Sequence, residues 1–174
     1  MITQEEFRNA MARLGAAVNI ITSDGEAGRC GLTVSAMCSV TDTPPTVIVC
    51  INKNANSHPI FAGNKVLCVN ILAGRHERHA MEFASTSKSS DERFGTGEEW
   101  TTLVTGSPVL KDAAVALDCR IVDVAEVGSH SVLYCEIDAV KLASEPESLI
   151  YFDRCFHHLT CEPADTSADI PRRG

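Results

Sequence analysis

The sequence predicts a mainly β domain, an antiparallel barrel carrying a few short helices. Short runs rich in Val, Ile and Cys recur between clusters of Gly, Pro, Asn and Ser, the pattern of strands punctuated by turns. Two later stretches alternate apolar and polar residues. No regular strand–helix alternation is present, so a barrel is favoured over a doubly wound parallel sheet. At 174 residues the chain suits one domain, placed over 1–160, with a frayed polar tail over 161–174.

The elements follow in order. Thr3-Gln4-Glu5-Glu6 has the form of a capping box. Phe7, Ala10, Met11 and Leu14 then lay one apolar stripe along a short helix, which Gly15 ends. Residues 18–22 are β-branched and apolar, and Ser23-Asp24-Gly25 supplies a turn that permits a positive φ. Strand-like sequence resumes at Cys30 and continues to Thr41, until Pro44-Pro45 removes two ladder donors. The runs TVIVCI (46–51) and KVLCVNIL (65–72) are nearly continuous in apolar residues, which predicts burial on both faces. Between them, residues 57–63 make a helical turn.

Residues 75–84 read as a helix with Ala80, Met81 and Ala84 on its apolar side. His76 and His79 stand among Arg75 and Arg78 on a solvated face. Residues 85–102 are polar, hold the only Trp (Trp100), and read as a long mobile loop. Val115, Leu117, Cys119 and Ile121 alternate with Asp118 and Arg120, and Leu133, Cys135, Ile137 and Ala139 alternate with Tyr134, Glu136 and Asp138. Val127-Gly128-Ser129-His130 lies between them, giving a long hairpin with Gly128 in its turn. Residues 149–152 form a last short strand.

A net charge of −8 argues against non-specific nucleic-acid binding, which needs Lys and Arg to neutralise phosphates. No apolar run approaches the roughly 20 residues that span a bilayer, so no membrane partner is expected. The acidic start lacks the basic and apolar parts of a secretory signal, which points to the cytoplasm. The eight cysteines form no C-x-x-C pair; they read as reduced thiols, with no metal site. Cys50, Cys68, Cys119 and Cys135 lie in apolar runs and are expected to be buried.

Two stretches could hold a phosphate-bearing cofactor, which needs hydroxyls, backbone N–H groups and a cation. Thr33-Val34-Ser35-Ala36-Met37-Cys38-Ser39-Val40 presents small and hydroxyl side chains that let a flat ring approach the backbone. Asn52-Lys53-Asn54-Ala55-Asn56-Ser57-His58 combines amides, a hydroxyl and a Lys in one loop after a strand. Neither G-x-G-x-x-G, nor a P-loop, nor a G-x-S-x-G elbow occurs. His157-His158 point apart as neighbours on a chain, which leaves His130, beside the hairpin glycine, as the candidate functional histidine.

Taken together, FRNAMARLGAAVNIITSDGEAGRCGLTVSAMCSVTDTPPTVIVCINKNANSHPIF, NKVLCVNIL, DERF, SPVLKDAAVALDCRI, VGSH and LIYFDRCFHHL resemble the flavin reductase-like family of FMN-binding split barrels. That family includes the reductase components of two-component monooxygenases. The resemblance runs over roughly residues 5–160. It implies a split antiparallel β-barrel, FMN or FAD as flavin, and NADH or NADPH as co-substrate. It also implies a homodimer that supplies a flavin-dependent monooxygenase or a small-molecule acceptor.

By that resemblance, Thr33, Ser35, Ala36, Met37, Cys38 and Ser39 meet the flavin ring or ribityl chain, and Asn52, Lys53, Asn54 and Ser57 hold the phosphate end. His130 stands where nicotinamide stacks. Phe152, Arg154, Phe156 and His157 close the site from the C-terminal side, and Phe94 faces it. Position 156 is Phe where several relatives carry Tyr, so no hydroxyl contact carries over. Two other roles share the same site: electron delivery to an acceptor such as the cobalt of a corrin, and non-catalytic flavin binding.

Overall fold

The structure, a computed structural model, describes residues 1–145 and 147–160. The tail expected over 161–174 lies outside the described residues. Helix α1 (Gln4–Ala12) opens with the capping box. The Thr3 hydroxyl accepts from the Glu6 N–H at 3.1 Å, and the Glu6 carboxylate accepts from the Thr3 N–H at 2.7 Å. The helix closes at Arg13, ahead of Gly15, and its stripe of Phe7, Met11 and Leu14 stays exposed.

Five strands follow: β1 (Ala16–Ala17), β2 (Asn19–Ser23), β3 (Cys30–Val34), β4 (Met37–Asp42) and β5 (Pro45–Asn52). The positive φ of the β2–β3 turn falls at Gly28 (104°), not Gly25. Gly25 meets a different need, because a Cβ there would stand 2.7 Å from the Asn64 side-chain oxygen. Strand sequence from Cys30 to Thr41 is interrupted at Ser35-Ala36, and that interruption makes the site.

Helix α2 (His58–Asn64) and strand β6 (Val66–Ile71) come next, followed by a short 3-10 turn at Gly74–His76. Helix α3 (Glu77–Ala84), helix α4 (Ser90–Phe94) and β7 (Trp100–Thr102) fall in the span read as a helix and a loop, and β8 (Pro108–Leu110) follows it. The long hairpin is β9 (Val115–Val127) and β10 (His130–Leu142), with Val127 opposite His130 across a two-residue turn and Gly128 at φ 55°. The last pair is β11 (Glu147–Phe152) and β12 (Cys155–Thr160).

Seven strands form one antiparallel sheet in the order β3-β2-β6-β9-β10-β5-β4. Its two edge strands, β3 and β4, are consecutive in the chain and joined only by Ser35 and Ala36. The sheet must therefore curl until its edges nearly meet, giving a barrel with one unpaired seam. Ile21, Val47, Val49, Ile51, Leu67, Val69, Cys119, Leu133 and Cys135 fill the interior, and Phe61 of α2 packs with them. A second core lies outside the barrel wall, where Val18, Ile20 and Leu72 meet Ala80, Phe83, Phe94, Leu110 and Leu149. The small sheet β1-β11-β12 contributes to this layer.

Several expectations need correction. Strand β6 is buried on both faces, but β5 buries Thr46, Val47, Val49 and Ile51, while Ile48 and Cys50 are half-buried. Helix α3 buries His79, Ala80 and Phe83, and leaves Met81 and Ala84 exposed. His76 and His79 are 5% and 7% exposed rather than solvated. The His76 Nδ1 accepts from the Ala73 N–H, and His79 bonds Glu99 at 3.0 Å. Residues 85–102 are not one loop. Ser89 and Glu92 make a second capping box at α4, and Trp100 packs on Phe83 and Phe94 at 5.5 and 4.8 Å.

Asp118 is fully buried although strand alternation places it outside. The segment carrying Thr105 covers it, and its carboxylate accepts from the Thr105 N–H at 2.7 Å and the Thr105 hydroxyl at 2.5 Å. Strand β12 is unannounced because its turn, Asp153-Arg154, has positive φ at both residues (47° and 64°) without Gly or Asn. Tertiary bonds hold that turn: Asp153 N–H donates to the Ala12 carbonyl, and Arg154 donates to the Asn9 side chain at 2.6 Å.

Candidate active site

The open seam leaves a groove made of three adjoining cavities that share wall residues. The first, about 480 Å³, lies between Gly15-Ala16-Ala17 and Ser35–Cys38, with Ile48 and Cys50 as its floor. Ser35 passes it to a second cavity of about 250 Å³, bounded by Thr33, Ala80, Ala84, Tyr151 and Phe156. Thr33 and Ala84 pass that to a third of about 160 Å³, lined by Asn56, Ser57, Ser85, Thr86 and Arg93. The first two are walled mainly by small and apolar side chains. The third is the polar end.

Arg93 sets the character of that polar end. Its Nη1 donates to the Gly31 carbonyl at 2.8 Å and its Nη2 donates to the Ser85 carbonyl. Its Nε is buried with no hydrogen-bond partner, and among the described residues no carboxylate pairs with it. Arg93 is half-buried, and a guanidinium bonded to carbonyls but to no carboxylate keeps a positive charge available to an anion in the groove. Ser57 adds a mostly buried hydroxyl that caps nothing at the head of α2. The Thr33 hydroxyl donates to the Ala80 carbonyl at 2.6 Å, which leaves its oxygen free to accept.

Of the residues singled out from sequence, Thr33, Ser35, Ala36, Met37, Cys38, Ser57 and Phe156 come together along this groove. Ser39 lies beyond it, exposed on β4. Asn52, Lys53 and Asn54 gather instead at the tip of the β9–β10 hairpin. There His130 stands opposite Asn52, and the Lys53 N–H donates to the Ser129 carbonyl at 2.9 Å. The Lys53 ammonium is paired with Glu126 at 3.1 Å, so its charge is already in use. The Asn52 side chain accepts from the Asn54 N–H at 2.9 Å.

Phe152, Arg154 and His157 sit at the β11–β12 hairpin, Phe152 edge-on to His157 at 5.9 Å. Phe94 does not face the groove. It is 3% exposed and spends its ring between Phe83, Trp100 and the Arg29 guanidinium, because α4 turns that side of itself into the outer core.

Arg93, Ala80, Ala84, Thr86 and Tyr151 also line the groove and were not singled out for it from sequence. The signal for Arg93 was available: Ser89-Ser90-Asp91-Glu92 fits the capping-box pattern that starts a helix. Burial raises the Cys50 thiol in the groove, and outside the groove burial pushes Cys30 up to about 12.

Residues 11–160 match the model of the family described as flavin reductase like domain. The chain belongs to that family. It is similar to the FMN reductase (NADH) RutF of Variovorax paradoxus, 50% identical over 163 residues, which covers 94% of this chain and 89% of that protein. The 4-hydroxyphenylacetate 3-monooxygenase reductase component of Pseudomonas aeruginosa is 48% identical over 158 residues, covering 91% and 93%.

Among solved structures, a candidate flavin reductase from Haemophilus somnus superposes with a TM-score of 0.87 at 43% identity, covering 91% of this chain and all of that one. The barrel expected from sequence is thus the family's own fold. This member of the family is an oxidoreductase, a flavin reductase.

Proposed function

We propose that the chain reduces FMN with NADH, holding the flavin along the seam groove with its phosphate at Arg93, and passes the reduced flavin to a partner monooxygenase. The observation that carries this reading is the Arg93 side chain, paired with no carboxylate among the described residues, at the polar end of a groove otherwise walled by small and apolar side chains. A phosphate there meets the guanidinium, the Ser57 hydroxyl and the side chains of Ser85 and Thr86. Ala16, Ala17, Ser35 and Ala36 leave room for a flat ring to lie on the backbone of the seam. When bound, the flavin supplies the N5 that takes a hydride from C4 of the nicotinamide.

The protein's own work is then alignment. His130, at the head of β10 with its Nδ1 beside the Ser129 hydroxyl at 2.9 Å, is assigned to the nicotinamide as a positioning group. The choice of NADH, FMN and a monooxygenase follows the names of the two relatives. A homodimer accounts for α1, whose stripe of Phe7, Met11 and Leu14 lies exposed beside the first cavity, which Leu14 itself lines. No described helix is long and apolar enough to cross a membrane, and the cytoplasm remains the expected location.

The test is steady-state oxidation of NADH and NADPH by the purified protein with FMN, FAD or riboflavin. The NADH and FMN pair is expected to turn over fastest. Absence of turnover with every flavin would sink the reading.

A further inference from the structure

A polar chain outside the groove joins the phosphate end of the site to the hairpin that carries His130. The His58 ring, one residue after Ser57, has its Nε2 2.8 Å from the Ser131 hydroxyl, and that hydroxyl donates to Glu126 at 2.8 Å. A hydroxyl has one proton, so Ser131 must accept from His58, which places a proton on Nε2. The second oxygen of Glu126 takes the Lys53 ammonium at 3.1 Å. These contacts hold the Glu126 carboxyl below the usual range, the Ser131 hydrogen bond first and the Lys53 ammonium next.

The chain is built to fix one object. Ser131 is fully buried and pairs across the hairpin with Glu126. Its neighbour His130 points to the opposite face of β10, as strand alternation requires. The Lys53 N–H ties the same tip from the β5 side through the Ser129 carbonyl. Gly128 and Ser129 alone would let this two-residue turn swing, so the tip takes its position from His58, Ser131, Glu126 and Lys53. The chain runs along the wall of a separate cavity of about 280 Å³, floored by Ile51, Phe61 and Leu133, which shares no residue with the groove.

We infer that Ser131, braced by His58 and Glu126, is a positioning residue that sets where His130 stands to receive the nicotinamide. The inference rests on the assignment of His130 to the nicotinamide. It also gives Lys53 a role as a brace rather than a phosphate ligand.

Ser131→Ala, Ser131→Thr, Glu126→Gln, His130→Ala and the double variant Ser131→Ala/His130→Ala test it. The NADH KM, kcat and the FMN Kd by fluorescence quenching are read for each. Ser131→Ala is expected to raise the NADH KM roughly tenfold through misplacement of the tip, with the FMN Kd within about twofold. Ser131→Thr keeps the hydroxyl, and the cavity accepts its methyl group, so it restores the KM. In the His130→Ala background, Ser131→Ala adds no further rise, because two residues acting through one contact are not additive.

An unchanged KM in Ser131→Ala, or an equal rise in the absence of His130, overturns the inference. If Ser131→Ala fails to fold, Glu126→Gln carries the same comparison from an exposed position, with a smaller rise in KM expected and an unchanged KM overturning the inference. Failure of the wild-type protein to oxidise NADH with any flavin instead defeats the functional reading itself. A silent His130→Ala in an active enzyme defeats the premise about His130.

Discussion

The Arg93 guanidinium donates to the Gly31 carbonyl at 2.8 Å, which ties helix α4 to the strand bordering the groove, while its Nε is buried with no hydrogen-bond partner. The same bonds that fix α4 hold the Arg93 side chain in the wall of the polar end of the groove.

Arg93→Met is expected to weaken FMN binding by one to two orders of magnitude, the worth of a charge-assisted hydrogen bond of about 1.5–3 kcal/mol. Riboflavin has the same ring and no phosphate, so its affinity should hardly move. Parallel fluorescence titrations of the two flavins check this. Equal losses for both would place Arg93 away from the phosphate.

Gly31 has room for no side chain. A Cβ there would stand 2.6 Å from one Phe83 ring carbon and 2.9 Å from another. The ring cannot retreat, because Phe94 and Trp100 pack on it at 5.2 and 5.5 Å. Gly31→Ala should destabilise the fold by about 1–3 kcal/mol, the usual cost of overpacking a filled core. Adding Phe83→Leu should recover part of the loss. Urea melts of the single and double variants give the comparison.

His76 predicts a pH dependence. Burial first, and then the Arg75 charge, push its pKa down to about 4, and its Nδ1 accepts the Ala73 N–H only when unprotonated. Between about pH 4 and 6.5 the unfolded chain binds the proton that the folded chain refuses. Stability from this group is complete above the unfolded pKa and falls as pH drops through that window. The loss should be on the order of 2 kcal/mol. His76→Asn keeps an acceptor for Ala73 but cannot titrate. Its stability should change less than the wild type's between pH 7 and pH 5 in denaturant melts.

His130→Ala should slow nicotinamide oxidation more than it weakens flavin binding, since the groove walls and Arg93 stand on other elements. Stopped-flow reduction of a pre-formed flavin complex, set beside a flavin titration, separates the two effects. Equal loss in both would move His130 into the flavin site.

Much of the barrel was legible because each strand carries a local signal. The alternation in β9 and β10, the Gly128 turn and the α1 capping box depend on neighbours a few residues away, and all appear where the residues place them. The apolar end of the groove was legible for a related reason: small and hydroxyl residues at 33–38 stay at the surface of the seam they interrupt. Arg93 was less visible. Its role depends on the carbonyls of Gly31, 62 residues away in sequence, and Ser85, and no local pattern records where those point.

Sequence by itself determined a mainly β chain, its strand periods, the resemblance to flavin reductases and the run of small residues that lines one wall of the groove. Those properties follow from side-chain type and short-range spacing. Tertiary structure decided which polar residues leave water and which remain at the surface. His79 and Asp118 read as polar and lie in the interior, where Glu99 and Thr105, brought there by the fold, bond them; His76 is buried too, bonded to the nearby Ala73 N–H. Lys53 reads as a phosphate ligand and is spent on Glu126, because closing the barrel brings the β5 loop against the hairpin tip. Burial and pairing are properties of the closed barrel, since each depends on the fall in dielectric and the exclusion of water that only packing brings.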